Sequence, residues 1–390
     1  MTEQRHPCPM RIAIFSEVYW PMVSGVGVTL LRLVNALEKR GHSLRIYTAN
    51  YALPEGTADR PEVHRSTSVP FFLYPDIQWA FPRARDIEDD LAAFQPDVVH
   101  VATEFAMGLA GLKAAERLGI PVISSAHTDY QKYAYRYGVP WALDIGWIYG
   151  RWFYNRTAKV LCPSRLYEEY LHTRGILHTG VWTRGVDPEE FNPAFRSESY
   201  RQSFGVGPDD LLVTYIGRLA KEKDLGRLLD AWRGLGNRKG NAQLVLVGKG
   251  PMGDDLKRHP MAGVHLAGLR HGRGLGEAYA SADLFVFPSC TETFGNSLLE
   301  AMGSGLPSLA VADGGVLEFA NQGANALLVK PRDTGALLTG LQRLLQDAEL
   351  RHRLGEGGLK TAEERAWGPI HDQLLGDYQW VAEVRRTRAA

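Results

Sequence analysis

Two glutamates, an arginine and a lysine are the side chains whose spacing points most directly to chemistry. Glu292 and Glu300 lie in the segment Pro288-Ser-Cys-Thr-Glu-Thr-Phe-Gly-Asn-Ser-Leu-Leu-Glu-Ala-Met-Gly-Ser-Gly305. An apolar strand ends at Pro288, and small and apolar residues open a helix near Asn296. Glu292 then sits in the loop and Glu300 about one turn into the helix, so both can face one ligand. The amides of Phe294, Gly295 and Asn296 at the helix start form a seat for phosphate, and Gly295 allows close backbone approach. Carboxylates beside an anion site suit sugar hydroxyls, which are the donors there. The bland reading makes Glu292 a helix-terminal charge and Glu300 a solvated one. Glu300, however, is set among Leu298, Leu299, Ala301 and Met302, where a merely solvated glutamate is out of place.

The arginine and lysine belong to Tyr215-Ile-Gly217-Arg218-Leu-Ala-Lys-Glu-Lys223. A buried strand ends in Gly217, and Arg218 and Lys223 follow in the next loop. A guanidinium forks onto two phosphate oxygens, and the ammonium adds a point charge. Together they can neutralise a diphosphate leaving group without a metal, and the chain holds no Asp-x-Asp pair. Lys221 and Glu222 read as ordinary surface residues.

Three further loops are candidates. Ser16-Glu-Val-Tyr-Trp-Pro-Met-Val-Ser-Gly25-Val-Gly27 follows the first strand, where Gly25 and Gly27 suit close approach to a ligand or simply a turn. Ser124-Ser-Ala-His127-Thr-Asp-Tyr130 ends another apolar strand, and His127 there can hydrogen-bond a sugar hydroxyl or serve a structural role. Gly248-Lys-Gly250-Pro-Met-Gly253 matches GxGxxG formally, but it is mid-chain, Pro251 interrupts it, and no acid follows a strand about 20 residues on. The dinucleotide reading is therefore rejected, while Gly248 and Gly250 remain candidates to line a nucleotide.

Residues 130–154 hold ten aromatics, among them Tyr130, Tyr133, Trp141, Trp147 and Trp152, interleaved with Lys132, Arg136 and Arg151. Aromatics with scattered cations fit a bilayer interface or an amphiphilic acceptor. A tyrosine-rich core or dimer surface fits them equally.

These loops need strands and helices to hold them. The runs Arg11–Phe15, Ser43–Ala49, Asp97–Ala102, Pro121–Ala126 and Lys159–Pro163 predict strands in the first half, with helices at Val28–Arg40, Ala106–Leu118 and Ser164–Thr173. The second half predicts strands at Leu211–Gly217, Ala242–Gly248, Val264–Gly268, Leu284–Pro288, Pro307–Ala312 and Ala326–Lys330. Its helices include Leu225–Leu235, Leu275–Ala282, Asn296–Gly305 and Asp333–Asp347. Such alternation implies parallel sheets covered by helices. Gly, Pro, Asn and Ser gather near 185–208, so the α/β chain is expected to form two Rossmann-like domains facing across a cleft, residues 1–190 and 191–368. A last helical segment (369–390) completes it.

The 390 residues carry 44 basic and 44 acidic side chains, with 45% hydrophobic residues. This is an ordinary globular composition, and zero net charge argues against non-specific nucleic-acid binding. Cys8, Cys162 and Cys290 support neither a disulfide framework nor a zinc site. No stretch approaches the ~20 apolar residues of a membrane span, and residues 1–10 lack an apolar signal core, so the expected compartment is the cytoplasm.

Taken together, Glu292-x7-Glu300, Gly217-Arg218…Glu222-Lys223, Gly248-Lys-Gly250-Pro251, Gly185-Val-Asp187 with Phe191-Asn-Pro193, and Gly303-Ser-Gly305-Leu-Pro307 resemble the retaining glycosyltransferases of family 4. The resemblance covers nearly the whole chain. It implies the GT-B architecture, with the last helix crossing back to the N-terminal domain. It further implies Arg218 and Lys223 on the donor diphosphate, Glu300 on the ribose, and Glu292 on the transferred sugar with the Phe294–Asn296 amides beside it. His127 would sit against the donor sugar, and Gly25 to Gly27 would line the diphosphate or acceptor side. Tyr130, Tyr133 and Trp141 are the acceptor candidates. The paired glycines usual in the first loop are here Gly25-Val-Gly27.

No cofactor or metal is expected, the nucleotide-sugar being a co-substrate. The first-loop, His127 and tyrosine-rich segments are similar to lipid-directed members, including diacylglycerol α-glycosyltransferases, sulfoquinovosyl-diacylglycerol synthases and phosphatidylinositol mannosyltransferases. The expected function is hexose transfer from UDP-glucose or UDP-galactose to a diacylglycerol-type lipid by a peripheral enzyme on the inner face of the cell membrane. GDP-mannose is the alternative donor. A nucleotide-sugar epimerase and a non-catalytic binder are the rival classes.

Overall fold

Apolar, β-branched runs become the central strands of two parallel sheets, because those strands are buried on both faces. The computed structural model describes residues 9–22, 24–71, 74–127, 141 and 143–389. The first sheet takes β1 (Arg11–Ser16), β2 (Ser43–Ala49) and β3 (Val63–Ser66); an antiparallel pair, β4 (Ser68–Phe71) and β5 (Tyr74–Ala80), follows outside it. The chain then returns with β6 (Val98–Val101), β7 (Val122–Ser125), β8 (Lys159–Cys162) and β9 (Thr179–Val181). The strand order is β3-β2-β1-β6-β7-β8-β9.

Helices α1 (Gly25–Lys39), α2 (Ala84–Phe94), α3 (Ala106–Arg117), α4 (Leu143–Tyr154) and α5 (Arg165–Thr173) connect these strands. Two have serine caps, Ser24 for α1 and Ser164 for α5, each accepting from an amide three residues on. Phe15 of β1 stacks on Tyr47 of β2 at 4.3 Å. A Cβ at Gly111 would lie 2.5 Å from the Phe15 ring, so only glycine lets α3 pack this closely.

The second sheet holds β10 (Leu212–Ile216), β11 (Gln243–Val247), β12 (Val264–Gly268), β13 (Leu284–Phe287), β14 (Ser308–Val311) and β15 (Leu327–Val329), in the order β12-β11-β10-β13-β14-β15. Around it run α6 (Glu198–Gln202), α7 (Leu225–Leu235), α8 (Pro251–Arg258), α9 (Gly272–Ala280), α10 (Asn296–Gly303), α11 (Thr334–Gln346) and α12 (Ala348–Glu363). Leu212 and Ile216 belong to the core on one face and Val213 and Tyr215 to that on the other. This alternation explains why the strand reads as a continuous apolar run.

The described chain divides into two compact units. One comprises the residues up to His127, Trp141–Trp182 and those from His371 on; the other comprises Thr183–Ile370. The division falls at Trp182, before the expected position 190, because residues 185–191 pack with the second sheet's unit. Val186 N donates to Arg365 O (3.0 Å), and Phe191 lies in that core. The last helix, α13 (Trp367–Ala389), starts in the second unit and belongs to the first from His371 onward. Among the described residues no helix is long and apolar enough to cross a membrane.

Candidate active site

In the second sheet the strand order reverses between β10 and β13, and in such folds ligands bind where the loops leave the carboxyl ends of those two strands. The loop after β10 carries Gly217, Arg218 and Lys223; the loop after β13 carries Glu292. The two meet directly. Lys223 Nζ donates to Glu292 Oε1 at 2.6 Å, and Thr291 Oγ1 donates to the backbone oxygen of Glu222 at 3.0 Å.

Local backbone sets this up. Lys221–Lys223 form a single 3-10 turn that ends on Asp224 in the left-handed region (φ 51°). The buried Tyr215 hydroxyl donates to Arg218 O at 2.8 Å and pins the loop to β10. Glu222 departs from expectation. It is not a surface residue but only 3% exposed, with Oε1 at 3.9 Å from Arg218 Nε. Burial pulls the guanidinium of Arg218 down from its ordinary value, and the Glu222 charge opposes that.

Gly248 and Gly250 follow β11 and back this loop. A Cβ on Gly248 would stand 2.0 Å from Gly217 O, and one on Gly250 would stand 2.4 Å from Leu219 O. These glycines therefore allow two strand-end loops to touch, which the nucleotide motif would not have revealed.

Beyond Glu292, Gly295 caps α10 in the left-handed region (φ 106°). The first amides of this helix, around Phe294, Gly295 and Asn296, have no intrahelical acceptor by geometry. Phe294 itself is buried and stacks on Phe319 at 4.9 Å. Glu300 lies on the same helix, and Tyr279 of α9 donates its hydroxyl to Glu300 Oε2 at 2.9 Å. Burial and the Glu300 charge push the Tyr279 phenol well up, so it stays a donor. Tyr279 was not legible as a partner. Nor was Gly315, whose added Cβ would lie 2.0 Å from Thr293 O, although the Gly314-Gly315 pair was a visible signal.

The first sheet reverses between β1 and β6. Here Gly27 N donates to the Ser24 cap at 3.0 Å, and a Cβ on Gly27 would meet Met22 O at 2.8 Å. Gly25 is the first residue of α1. Glu17, to which the sequence assigned no role, is a buried residue at the start of this loop. It accepts from Met107 N at 2.5 Å and from the Thr103 hydroxyl, and burial pushes its carboxyl up to about 7.

His127 stands past the end of β7, half-buried, with Nε2 2.8 Å from Ser125 Oγ and its ring edge-on to Trp182. Tyr130 and Tyr133 lie outside the described residues. Trp141 is 74% exposed just before α4. Trp147, by contrast, is buried with Phe153 and Tyr154 in the core of this unit, so the aromatic stretch serves both core and surface.

Comparison with known proteins bears on this arrangement. Residues 23–190 match the model described as Glycosyltransferase Family 4, and residues 196–361 match Glycosyl transferases group 1. A GDP-mannose-dependent alpha-mannosyltransferase of Mycobacterium tuberculosis is 33% identical, over 98% of this chain and 100% of its own length. Sulfoquinovosyl transferase SQD2 of Arabidopsis thaliana is 31% identical, over 92% of this chain and 71% of its own. An alpha-monoglucosyldiacylglycerol synthase of Streptococcus pneumoniae is 28% identical, over 77% and 71%. The solved structure of sucrose-phosphate synthase from Thermosynechococcus elongatus superposes with a TM-score of 0.78 at 20% identity, covering 96% of this chain and all of that one, which places the fold in the GT-B class. Two Rossmann-like units, with family matches over both, make this chain a member of glycosyltransferase family 4.

Proposed function

We propose that this glycosyltransferase moves a hexose, with retention and without a metal, from a nucleoside-diphosphate sugar to a lipid acceptor at the inner face of the cell membrane. The observation that carries the reading is the junction of Arg218, Lys223, Glu292 and the start of α10 at one switch point. Arg218 and Lys223 take the diphosphate, and the α10 amides add a fixed positive end. Glu292, held by Lys223, accepts from hydroxyls of the transferred sugar; Glu300, held by Tyr279, accepts from the ribose. The bond between anomeric carbon and phosphate oxygen breaks as oxocarbenium character develops. The acceptor oxygen attacks the same face, and its proton passes to the departing phosphate oxygen. His127 contacts the donor sugar, and Gly25 to Gly27 line the diphosphate or acceptor side.

GDP-mannose is the favoured donor, on the likeness to the full-length mannosyltransferase, ahead of the UDP-glucose or UDP-galactose that the sequence put first. A lipid acceptor is supported by the likeness to the glucosyldiacylglycerol synthase and by the outward face of α4. Ile145, Ile148 and Trp152 of α4 are spaced 3 and 4 residues apart, one helical stripe, and are 66%, 61% and 41% exposed, with Trp141 before the helix 74% exposed. Arg156 lies over the Trp152 ring at 5.1 Å, and tryptophan with arginine suits the headgroup level of a bilayer.

The test is GDP affinity and sugar transfer in EDTA with wild type and Arg218→Ala. A charge-assisted phosphate contact is worth about 1.5–3 kcal/mol, so the variant should lose roughly 10- to 150-fold in kcat/KM. Unchanged turnover in Arg218→Ala would remove the diphosphate assignment.

A further inference from the structure

A chain of buried polar groups runs behind His127. His127 Nε2 is 2.8 Å from Ser125 Oγ, which is 2.9 Å from His100 Nε2; His100 Nδ1 is 2.6 Å from the Tyr378 hydroxyl. His100 and Tyr378 are fully buried and Ser125 nearly so, with Trp182 edge-on to both histidine rings. These residues come from β6, β7 and α13 of the first unit.

A neutral imidazole donates from one nitrogen and accepts at the other, so only two directions of donation are self-consistent. Inward, His127 Nε2–H donates to Ser125, Ser125 to His100 Nε2, and His100 Nδ1–H to the Tyr378 oxygen. The Tyr378 proton then needs another acceptor, and among the described residues the hydroxyl bonds only to His100. Outward, Tyr378 donates to His100 Nδ1, His100 Nε2–H to Ser125, and Ser125 to His127 Nε2. The Tyr378, His100 and Ser125 protons then each have an acceptor. Burial also pushes the Tyr378 phenol well up, so its proton stays in place. The cost of a buried, unsatisfied donor selects the outward direction.

We propose that Tyr378 and His100 are positioning residues that hold His127 in the Nδ1–H tautomer, through Ser125, so that its outer nitrogen donates to an oxygen of the donor sugar. This rests on the reading of His127 as the sugar contact. It gives the returning helix α13 a role at the strand end: the helix sets which way a hydrogen bond points there.

Nitrogen-15 NMR of histidine-labelled protein tests the chain directly. The wild type should show His127 Nε2 as an unprotonated acceptor and Nδ1 as protonated. Tyr378→Phe, which removes only the hydroxyl, should give a mixture of tautomers; Ser125→Ala should do the same and serves if the phenylalanine variant does not fold. Tyr378→Phe should also lower kcat/KM by about 5- to 10-fold, and should lower it no further in a His127→Ala background. An Nε2–H tautomer in the wild type, an unaltered tautomer in both variants, or full additivity with His127→Ala would overturn the proposal. If the wild type turns over no nucleotide-sugar, the catalytic reading fails, and the tautomer measurement still decides the chain.

Discussion

Lys223 and Glu292 hold each other in place: the ammonium donates to the carboxylate at 2.6 Å and ties the loop after β10 to the loop after β13. Glu17 marks the other switch point by a different balance. Its carboxyl is buried at the start of α3, and desolvation outweighs its hydrogen bonds to Thr103 and Met107. In the folded chain it keeps its proton up to about 7, against 4.5 when solvated. The native state thus binds more protons across this window, and stability falls as pH rises through it, by about 3 kcal/mol from this group. Glu17→Gln keeps an acceptor for Met107 N and removes the titration. Urea unfolding at pH 4.5 and pH 8 should show the variant gaining about 3 kcal/mol on wild type between the two. An equal difference at both pH values would show that Glu17 titrates normally.

At the scale of elements, α4 divides one segment between two tasks. Trp147, Phe153 and Tyr154 anchor it in the core, while Ile145, Ile148 and Trp152, with Trp141 just before the helix, are exposed. Replacing these four by serine or glutamine leaves the core untouched. It should weaken binding to anionic liposomes by roughly 100-fold, the scale set by ~1.5–3 kcal/mol per large apolar side chain only partly inserted. Normal sedimentation with liposomes would remove the stripe from the membrane reading. The core strands were legible because burial on both faces writes continuous apolar runs. The edge strands β3 and β9 were not, being short and only half-buried. Helix α12 was hidden by Gly355, Gly357 and Gly358, poor helix formers. A Cβ on Gly357 would lie 2.1 Å from Ala324 O, and Gly355 and Gly358 press on Gly305 O and Met302. Close packing, invisible locally, explains these glycines. Much of the candidate site was legible because loops at strand ends announce themselves by glycine and charge. The partners that orient them were not: Tyr378 and His100 are 278 residues apart, and nothing near either one names the other.

For the whole molecule, the zero net charge conceals sorting. Cations stand at a strand end of the second unit, while the first carries an apolar stripe and a buried acid at its own switch point. The most direct measurement incubates the full-length protein with GDP-mannose, UDP-glucose, UDP-galactose and an ADP-sugar, each with membrane lipids and EDTA, followed by mass analysis of the lipids and the nucleotides. The predicted result is one lipid class heavier by a single hexose in the α-configuration, with an equal amount of nucleoside diphosphate released, most with GDP-mannose. A free altered sugar, or donor bound and left intact with every lipid unchanged, would contradict it.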